Sequence, residues 1–504
     1  MGTLHRCFTF ALVLVVHVAF AQFIPSFTDV SQAAGLPNNP RKKYASPAVA
    51  DLDRDGHPDL LFCNHDNYFA ELFFNNGDGT FTKSRWQSWR DNHGIVPVPV
   101  SIYTKNMRFT ISPGGNFGMN PSRPQMYEVS PHRSVNNITF AVDDAGGSGR
   151  TAIFLDMAFT HTGFPDVIFM NAPPADGGRS HFGYENRFGR YELRRLEGFE
   201  DDDNWYGSAI DVDNDRVMEI VTHYYMLTAY RMAGPFKFVD ATSQIFPAGL
   251  GRMGVVAVAE IDYDNDGDFD LYVARTKSSD LKWVYGDTFY DYLLENVGGR
   301  FVDVTAKAGI PRGTLARGVT VGDFNNDGWM DVFVTQYRSA DIMLLNTGDG
   351  TFRRVDGLIS RPDNVRGDNA VAFDYDGDGR LDLISSQGDY HTEGVPGNFK
   401  LFRNVMTLTS KRNYLRVRVG NAPDGVATAL HAVVTVTVNN NTPKMIQRVG
   451  SPGAAISRSY IETLHFGLGP HSKAAEVSVK YTNGYTVSTS NVAAASTVVL
   501  GNVL

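Results

Sequence analysis

Beyond its first two dozen residues the chain is a succession of short apolar runs rich in β-branched and aromatic residues, bounded by Gly, Asn and Asp. V-V-A-V-A at 255–259, D-L-Y-V at 270–273 and L-L-F-C at 60–63 have the length and composition of strands. A second signature stands between such runs: F-F-N-N-G-D-G-T-F at 73–81 and L-L-N-T-G-D-G-T-F at 344–352. Asn and Gly accept the positive φ that tight hairpins require, so these predict outer hairpins. From Asn413 the pattern becomes alternation, with Y-L-R-V-R-V, H-A-V-V-T-V-T-V, A-E-V-S-V-K-Y and S-T-V-V-L. That is the period of half-buried strands in an antiparallel sandwich.

The polar stretches between strands carry the chemistry. In I-D-Y-D-N-D-G-D-F-D-L-Y-V (261–273), Asp262, Asp264, Asp266 and Asp270 occupy positions 1, 3, 5 and 9, with Gly267 at position 6, where the backbone turns sharply. Ca²⁺ takes about six to eight oxygens, which alternating carboxylates on a curled backbone, with a carbonyl at position 7, can supply. Without an ion these carboxylates repel one another. An EF-hand shares the D-x-D-x-D-G opening but needs a Glu at position 12 and flanking helices; position 12 is Val273 and the flanks read as strands.

The unit recurs as Asp51, Asp53, Asp55, Gly56 and Asp59, as Asp323, Asn325, Asp327, Gly328 and Asp331, and as Asp374, Asp376, Asp378, Gly379 and Asp382. A fifth copy, Asp211, Asp213, Asp215 and Glu219, has Arg216 where the turn wants glycine, which counts against its ion. A sixth, aligned on Gly163 and Asp166, has Ala158, Thr160 and Thr162 in place of the first three ligands and is expected to bind nothing. The spacing, a period of about 50 residues with one unit hidden between the first two, implies seven units and a propeller or solenoid. Residues 86–149 show no clear period and read as a degenerate blade carrying an insertion. F-T-D-V at 27–30 with A-G-L at 34–36 matches F-V-D-V-T-A-K-A-G-I at 301–310, whereas the last repeat lacks this tail. The N-terminal strand is therefore expected to complete the final blade and close the ring.

Residues 1–21 combine His5 and Arg6, an apolar run too short to span a bilayer and Ala19-Phe20-Ala21, the pattern of a signal peptide; no later segment is long and apolar enough to span a membrane. Removing this leader leaves Cys63 as the sole cysteine, so no internal disulfide forms and bound ions become the natural staples. The formal charge of −9 is mostly local to the loops, and four Ca²⁺ would bring it near neutrality. It argues against a nucleic-acid partner, which needs a basic face.

The D-x-D-x-D-G-x-x-D-L units with their N-G-D-G-T-F hairpins resemble the FG-GAP (VCBS) repeats of integrin α-chain propellers. G-R-F-V-D-V-T-A-K-A-G-I is similar to the cartilage acidic protein family, and 413–504, through L-H-F-G-L-G at 464–469 and 477–484, resembles its ASPIC/UnbV domain. The resemblance implies a calcium-binding propeller followed by that domain. The Cys-rich EGF-like module of vertebrate members has no counterpart here, which puts partners that use it in question. The expected architecture is thus all-β: a signal peptide at 1–21, a seven-bladed FG-GAP/VCBS β-propeller at 22–408 and an ASPIC/UnbV-like antiparallel β-sandwich at 409–504.

Thirteen residues beyond the start of each loop stand Asn64, Asn171, Tyr224, Arg275, Gln336 and Gln387, all polar. They are expected to ring one face near the central channel, opposite the loops, with His65, His223, Tyr337 and His391 nearby. Asn137 and Asn440 open glycosylation sequons. Arg366-Gly367-Asp368 spells an adhesion tripeptide, but blade structure explains it, because Arg317-Gly318 begins the equivalent strand. His465 reads as a satisfied core histidine and the acidic run 200–203 as a solvated loop. No nucleophile and base can be paired. Two functions follow: a secreted, calcium-stabilised module that binds an extracellular protein or glycan, or a lyase- or cyclase-like enzyme using the polar ring as its pocket. The first is favoured.

Overall fold

The computed structural model describes residues 24–36, 44–64, 69–89, 91–99, 101–114, 121–159, 163–173, 180–200, 202–250, 254–276, 291–337, 339–359, 367–388, 398–409, 412–439, 444–453 and 456–503. The leader, His65, Thr160, Thr162, Asp201, Arg366, His391 and Asn440 lie outside them. Among the described residues, seven four-stranded sheets precede the C-terminal domain. Blade 1 comprises Tyr44–Ala50, Asp59–Asn64, Phe69–Asn75 and Phe81–Trp89. Blades 2 to 6 fall within 92–137, 148–194, 206–240, 255–303 and 316–356, and blade 7 within 367–404. The first strands of blades 1 to 7 pack each against the next, and that of blade 7 returns to that of blade 1.

Burial along each blade explains which strands announce themselves. Inner strands such as Gly367–Phe373 are buried throughout, between the adjoining blades, and so are built of small and apolar residues without alternation. The outer strand Phe352–Asp356 alternates because one face meets water. This is why the second blade was hidden: Asn92–Pro99 and Met107–Pro113 are buried at every position, and prolines interrupt the expected composition. The stretch read as a blade with an insertion is a full four-stranded sheet at 92–137, followed by a short link containing the 3₁₀ turn Thr139–Ala141.

The ring closes through its N-terminus. Phe27–Asp29 pairs antiparallel with Asn398–Asn404 and forms the outer edge of blade 7, in register Phe27↔Asn404 and Asp29↔Phe402. The tail then reaches blade 1, where Phe81 N donates to Ala34 O at 2.9 Å. Blades 5 and 6 are joined identically by Phe352 N and Ala308 O at 2.9 Å, so A-G-L and A-G-I are inter-blade joints.

The C-terminal domain stacks a four-stranded sheet (Met445–Arg448, Val433–Thr437, Lys473–Lys480, Thr486–Ala493) with a three-stranded one (Thr463–Gly469, Asn413–Val419, Ser496–Leu500). It departs from a purely antiparallel sandwich in one pair: Ser496–Leu500 lies parallel to Asn413–Val419. Residues 450–453 and 456–460 reach the first strands of the propeller. Tyr460 N donates to Val49 O (2.8 Å), Arg458 N to Ile95 O (3.1 Å) and Val321 N to Pro452 O (2.9 Å), all on first strands of blades. Ser459 Oγ and Ser457 Oγ accept the amides of Val49 and Ile95.

Candidate metal centres

Each acidic loop joins the first strand of its blade to the second, and one set of bonds shapes it. The position-9 carboxylate opens the second strand and accepts the position-2 amide: Leu52 N to Asp59 at 2.8 Å, Val212 N to Glu219 at 2.9 Å, Tyr263 N to Asp270 at 3.2 Å, Phe324 N to Asp331 at 3.0 Å and Tyr375 N to Asp382 at 3.2 Å. The position-1 carboxylate accepts the position-6 amide, from Gly56 (3.0 Å), Arg216 (3.0 Å), Gly328 (2.6 Å) and Gly379 (3.0 Å). These closures aim the remaining carboxylate oxygens inward.

The donor set fits calcium. In the groups Asp51–Asp53–Asp59, Asp211–Asp213–Glu219, Asp262–Asp264–Asp270 and Asp374–Asp376–Asp382, each residue offers an oxygen within 4.8 Å of the others. Oxygens bound to one Ca²⁺ at about 2.3–2.6 Å lie within about 5 Å of each other. Asp323, Asn325 and Asp331 hold the same positions 1, 3 and 9 in the blade 6 loop, with an amide oxygen at position 3. Asp51 Oδ1, Asp211 Oδ1, both oxygens of Asp262, Asp264 Oδ1 and Asn325 Oδ1 are buried with no hydrogen-bond partner, a state that is costly unless a cation receives them. Burial first, and neighbouring carboxylates after it, push Asp262 up to about 8, Asp323 to about 8, Asp270 to about 9 and Asp51 to about 7. A bound dication would reverse these shifts.

The loops differ in their protein counter-charges. Arg133, reaching across from blade 2, pairs with Asp53 (2.6 Å) and Asp55 (3.1 Å). Arg403 pairs with Asp376 (2.8 Å) and Asp378 (2.9 Å), and Arg231 with Asp213 (3.1 Å) and Glu219 (3.3 Å). The C-terminal domain supplies Arg418 to Asp51 (3.0 Å), Arg416 to Asp374 (3.4 Å) and Arg412 to Asp327 (3.5 Å). Asp262 and Asp264 have chiefly other carboxylates around them, Asp266, Asp268 and Glu295.

Two loop readings change. Arg216 does not disrupt its turn: it adopts φ 78°, close to the 82–98° of Gly56, Gly267, Gly328 and Gly379, a conformation that costs a non-glycine residue roughly 1–2 kcal/mol. In the sixth loop the register Leu155↔Asp166 places Asp156, not Ala158, at position 1, so the loop is two residues longer than its equivalents. Asp166 still accepts Met157 N (2.8 Å) and Asn186 N (2.7 Å), keeping the position-9 role in shaping the fold.

The polar set lies where counting placed it, at the strand ends opposite the loops: Asn64 pairs with Tyr44, Asn171 with Gly149, Arg275 with Val255, Gln336 with Ala316 and Gln387 with Gly367, and Tyr224 follows Glu219–His223. These side chains are mostly turned inward. Asn64, Asn171, Gln336 and Gln387 are buried; Asn64 Nδ2 donates to Phe69 O, Gln336 Oε1 accepts Leu315 N, and Arg275 lies over the Tyr292 ring at 5.0 Å. Asn137 is exposed at a strand end. Asp368 of the R-G-D tripeptide is buried against Arg317 at 3.1 Å. His465 is buried but meets another domain, with Nε2 2.7 Å from Asn326 Oδ1. Of the acidic run, Asp201 lies outside the described residues and Asp203 is exposed, but the other two are engaged: Asp202 Oδ2 accepts the hydroxyls of Thr222, Thr228 and Tyr230, and Glu200 pairs with Arg195. Cys63 is buried, and burial raises its thiol pKa.

Residue-by-residue reading missed the asparagines that stitch the loops together. Asn75, Asn296, Asn346 and Asn404 each donate an amide N–H to their own position-9 carboxylate (2.7–2.9 Å). Their side chains donate to the position-2 carbonyl of the preceding blade, Tyr375, Val212, Tyr263 and Phe324, at 2.7–2.9 Å. Their signal is the Asn closing F-F-N, L-E-N, L-L-N and F-R-N, easily absorbed into turn chemistry.

With blades, loops and capping domain in place, comparison with known proteins gives the class. Residues 211–273, 262–334 and 323–385 match the FG-GAP-like repeat, and 423–502 match ASPIC and UnbV. The chain is an FG-GAP repeat protein with a C-terminal ASPIC and UnbV domain. It is homologous to cartilage acidic protein 1: 25% identical to the Homo sapiens protein over 462 residues (87% of this chain, 60% of the relative) and 24% to that of Xenopus tropicalis over 468 residues (87% and 61%). The chain thus spans about 60% of the relatives' length. Among solved structures, YCF48 bound to a D1 peptide aligns over 73% of this chain and 100% of its own (TM-score 0.40, 9% identity). The extracellular domain of the two-component system BT3049 of B. thetaiotaomicron aligns over 94% of this chain and 53% of its own (TM-score 0.43, 10% identity).

Proposed function

We propose that this chain is a secreted, calcium-stabilised interaction module of the extracellular matrix or cell surface, whose ions rigidify the propeller so that its surfaces bind an extracellular protein or glycan. The observation that carries this reading is the repeated set of buried carboxylate oxygens without hydrogen-bond partners, at Asp51, Asp211, Asp262 and Asp264. Asp51, Asp53, Asp55 and Asp59 would hold one ion, Asp262, Asp264, Asp266 and Asp270 a second, Asp323, Asn325, Asp327 and Asp331 a third, and Asp374, Asp376, Asp378 and Asp382 a fourth. Asp211, Asp213, Asp215 and Glu219 would hold a weaker fifth. Bound calcium supplies charge neutralisation and crosslinks, which suit a chain whose described residues hold one cysteine, free and buried.

Extracellular placement is supported by the leader pattern at 1–21 and by the relatives named cartilage acidic protein 1. Binding is favoured over catalysis because the polar strand ends opposite the loops, where the enzyme reading puts its pocket, are mostly turned inward, with Asn64, Asn171, Gln336 and Gln387 buried. Capture of partners from extracellular material on the immobilised protein tests the reading. Specific capture in calcium that disappears in chelator is expected; equal capture in both would contradict it.

A further inference from the structure

The turns of three loops are also the seat of the C-terminal domain. A methyl group on Gly379 (blade 7) would collide with the Tyr414 ring, and one on Gly56 (blade 1) would lie 2.9 Å from Arg418 Nη1. In blade 6 the backbone of Gly328 faces Gly467, Gly467 in turn presses on the Asp323 carboxylate, and Gly469 N donates to Asn326 O at 3.1 Å. The domain thus rests on backbone turns without side chains, and fits only while those loops are curled. By contrast, a methyl group on Gly267, the equivalent turn of blade 5, would meet nothing within 4 Å, and the domain reaches that blade beside the turn, where Arg448 pairs with Glu260 (3.1 Å) and lies over the Phe269 ring (4.6 Å).

The same interface divides the ligand atoms. Asp51 Oδ2 accepts Gly56 N (3.0 Å) and Arg418 Nη2 (3.0 Å), while Asp51 Oδ1 is buried and unpartnered. The arginine thus takes one oxygen of the carboxylate and leaves the other to receive a cation, so the C-terminal domain would position the ligand without consuming it. Arg133 and Arg418 at the blade 1 loop, Arg380, Arg403 and Arg416 at the blade 7 loop and Arg412 at the blade 6 loop are each outnumbered by the carboxylates they face, so an ion-free loop tends to open by mutual repulsion, and its turn ceases to match the domain above it.

Building on the calcium reading, we propose that the ions of blades 1, 6 and 7 hold the C-terminal domain on the propeller, and with it residues 450–453 and 456–460 against the first strands, while the ion of blade 5, whose turn glycine carries no part of the domain, contributes little to that seat. The domain interface is then a calcium-dependent surface. Loss of the three ions frees the first strands at Val49, Ile95 and Val321 from Ser459, Ser457 and Pro452.

Hydrogen exchange at the Arg458 and Tyr460 amides, which are bonded across the interface, tests this in the full chain, with bound calcium counted in parallel by metal analysis. Removing calcium is expected to speed exchange there at least tenfold. Asp376→Ala in blade 7 is expected to do so in saturating calcium, whereas Asp264→Ala in blade 5 loses one ion and leaves both amides protected. Tyr414→Ala, which removes the ring seated on the Gly379 turn and keeps every loop ligand, is expected to keep the calcium count and speed exchange. Equal protection with and without calcium, or equal effects of Asp264→Ala and Asp376→Ala, would overturn the coupling while leaving the calcium reading intact. A chain that binds no calcium overturns both.

Discussion

Arg418 Nη2 lies 3.0 Å from Asp51 Oδ2, so a residue of the C-terminal strand Asn413–Val419 holds the first ligand of the first propeller loop. Blade and capping domain share a charged layer built from the acidic loops. Burial makes that layer expensive without cations, and the following expectations test where those cations sit.

The loops should bind unequally. Asp262 has carboxylates as its main neighbours, whereas Arg231 already pairs with Asp213 and Glu219 in the 211 loop. Asp262→Ala should therefore lower the number of tightly bound calcium ions by one, and Asp211→Ala should change it less. Equal losses by metal analysis at limiting calcium would contradict the grading.

Stability of the calcium-free chain should fall as pH rises. Asp262, Asp270 and Asp323 are raised from 3.8 to about 8, about 9 and about 8, each first by burial. A folded pKa above the unfolded one means stability fully present below the unfolded value and lost as pH climbs through the folded one. Between about pH 4 and 9 the calcium-free melting temperature should drop, while the calcium-loaded form, whose ligands are ionised and paired, should not. A flat or rising calcium-free profile would oppose this.

Asn346→Ala should remove the side-chain bonds to Tyr263 O (2.7 Å) and Met330 O (3.2 Å). Leaving these buried carbonyls short of donors should cost about 1–3 kcal/mol, read as a lower denaturation midpoint. Because the residue holds two blades together, a midpoint unchanged from the parent would show that the inter-blade bond is dispensable.

Trimming the chain to begin after Gly35 removes the outer strand of blade 7 together with the Ala34 joint to Phe81. The exposed edge of Asn398–Asn404 should recruit other chains. Aggregation by light scattering or an early melt is expected although every loop ligand remains; a monomer with its melting point intact would show that the N-terminal strand is expendable.

Much of this was legible because each loop is local. Positions 1 to 9 lie within nine residues, so spacing alone gathered Asp262, Asp264, Asp266 and Asp270, and the tail at 27–30 revealed closure because its sequence repeats at 301–304. What stayed hidden depends on partners far along the chain. The alternation Y-L-R-V-R-V puts Arg416 and Arg418 on one polar face, which normally means water, yet here it faces Asp374 and Asp51. The register of the sixth loop was misplaced by two residues because Gly163 and Asp166 fit the motif while strand pairing, invisible in sequence, fixes Leu155 opposite Asp166. Blade 2 carries no loop signature, and its inner strands lack alternation because both faces are buried.

The central claim, that the acidic loops are structural calcium sites, is tested most directly by thermal unfolding in saturating calcium and in excess EGTA at fixed pH. Each site held at about 100 times its Kd would contribute roughly 2.7 kcal/mol, so the account predicts a melting temperature lower in EGTA by about 10 °C or more. Superimposable curves in calcium and EGTA would contradict it.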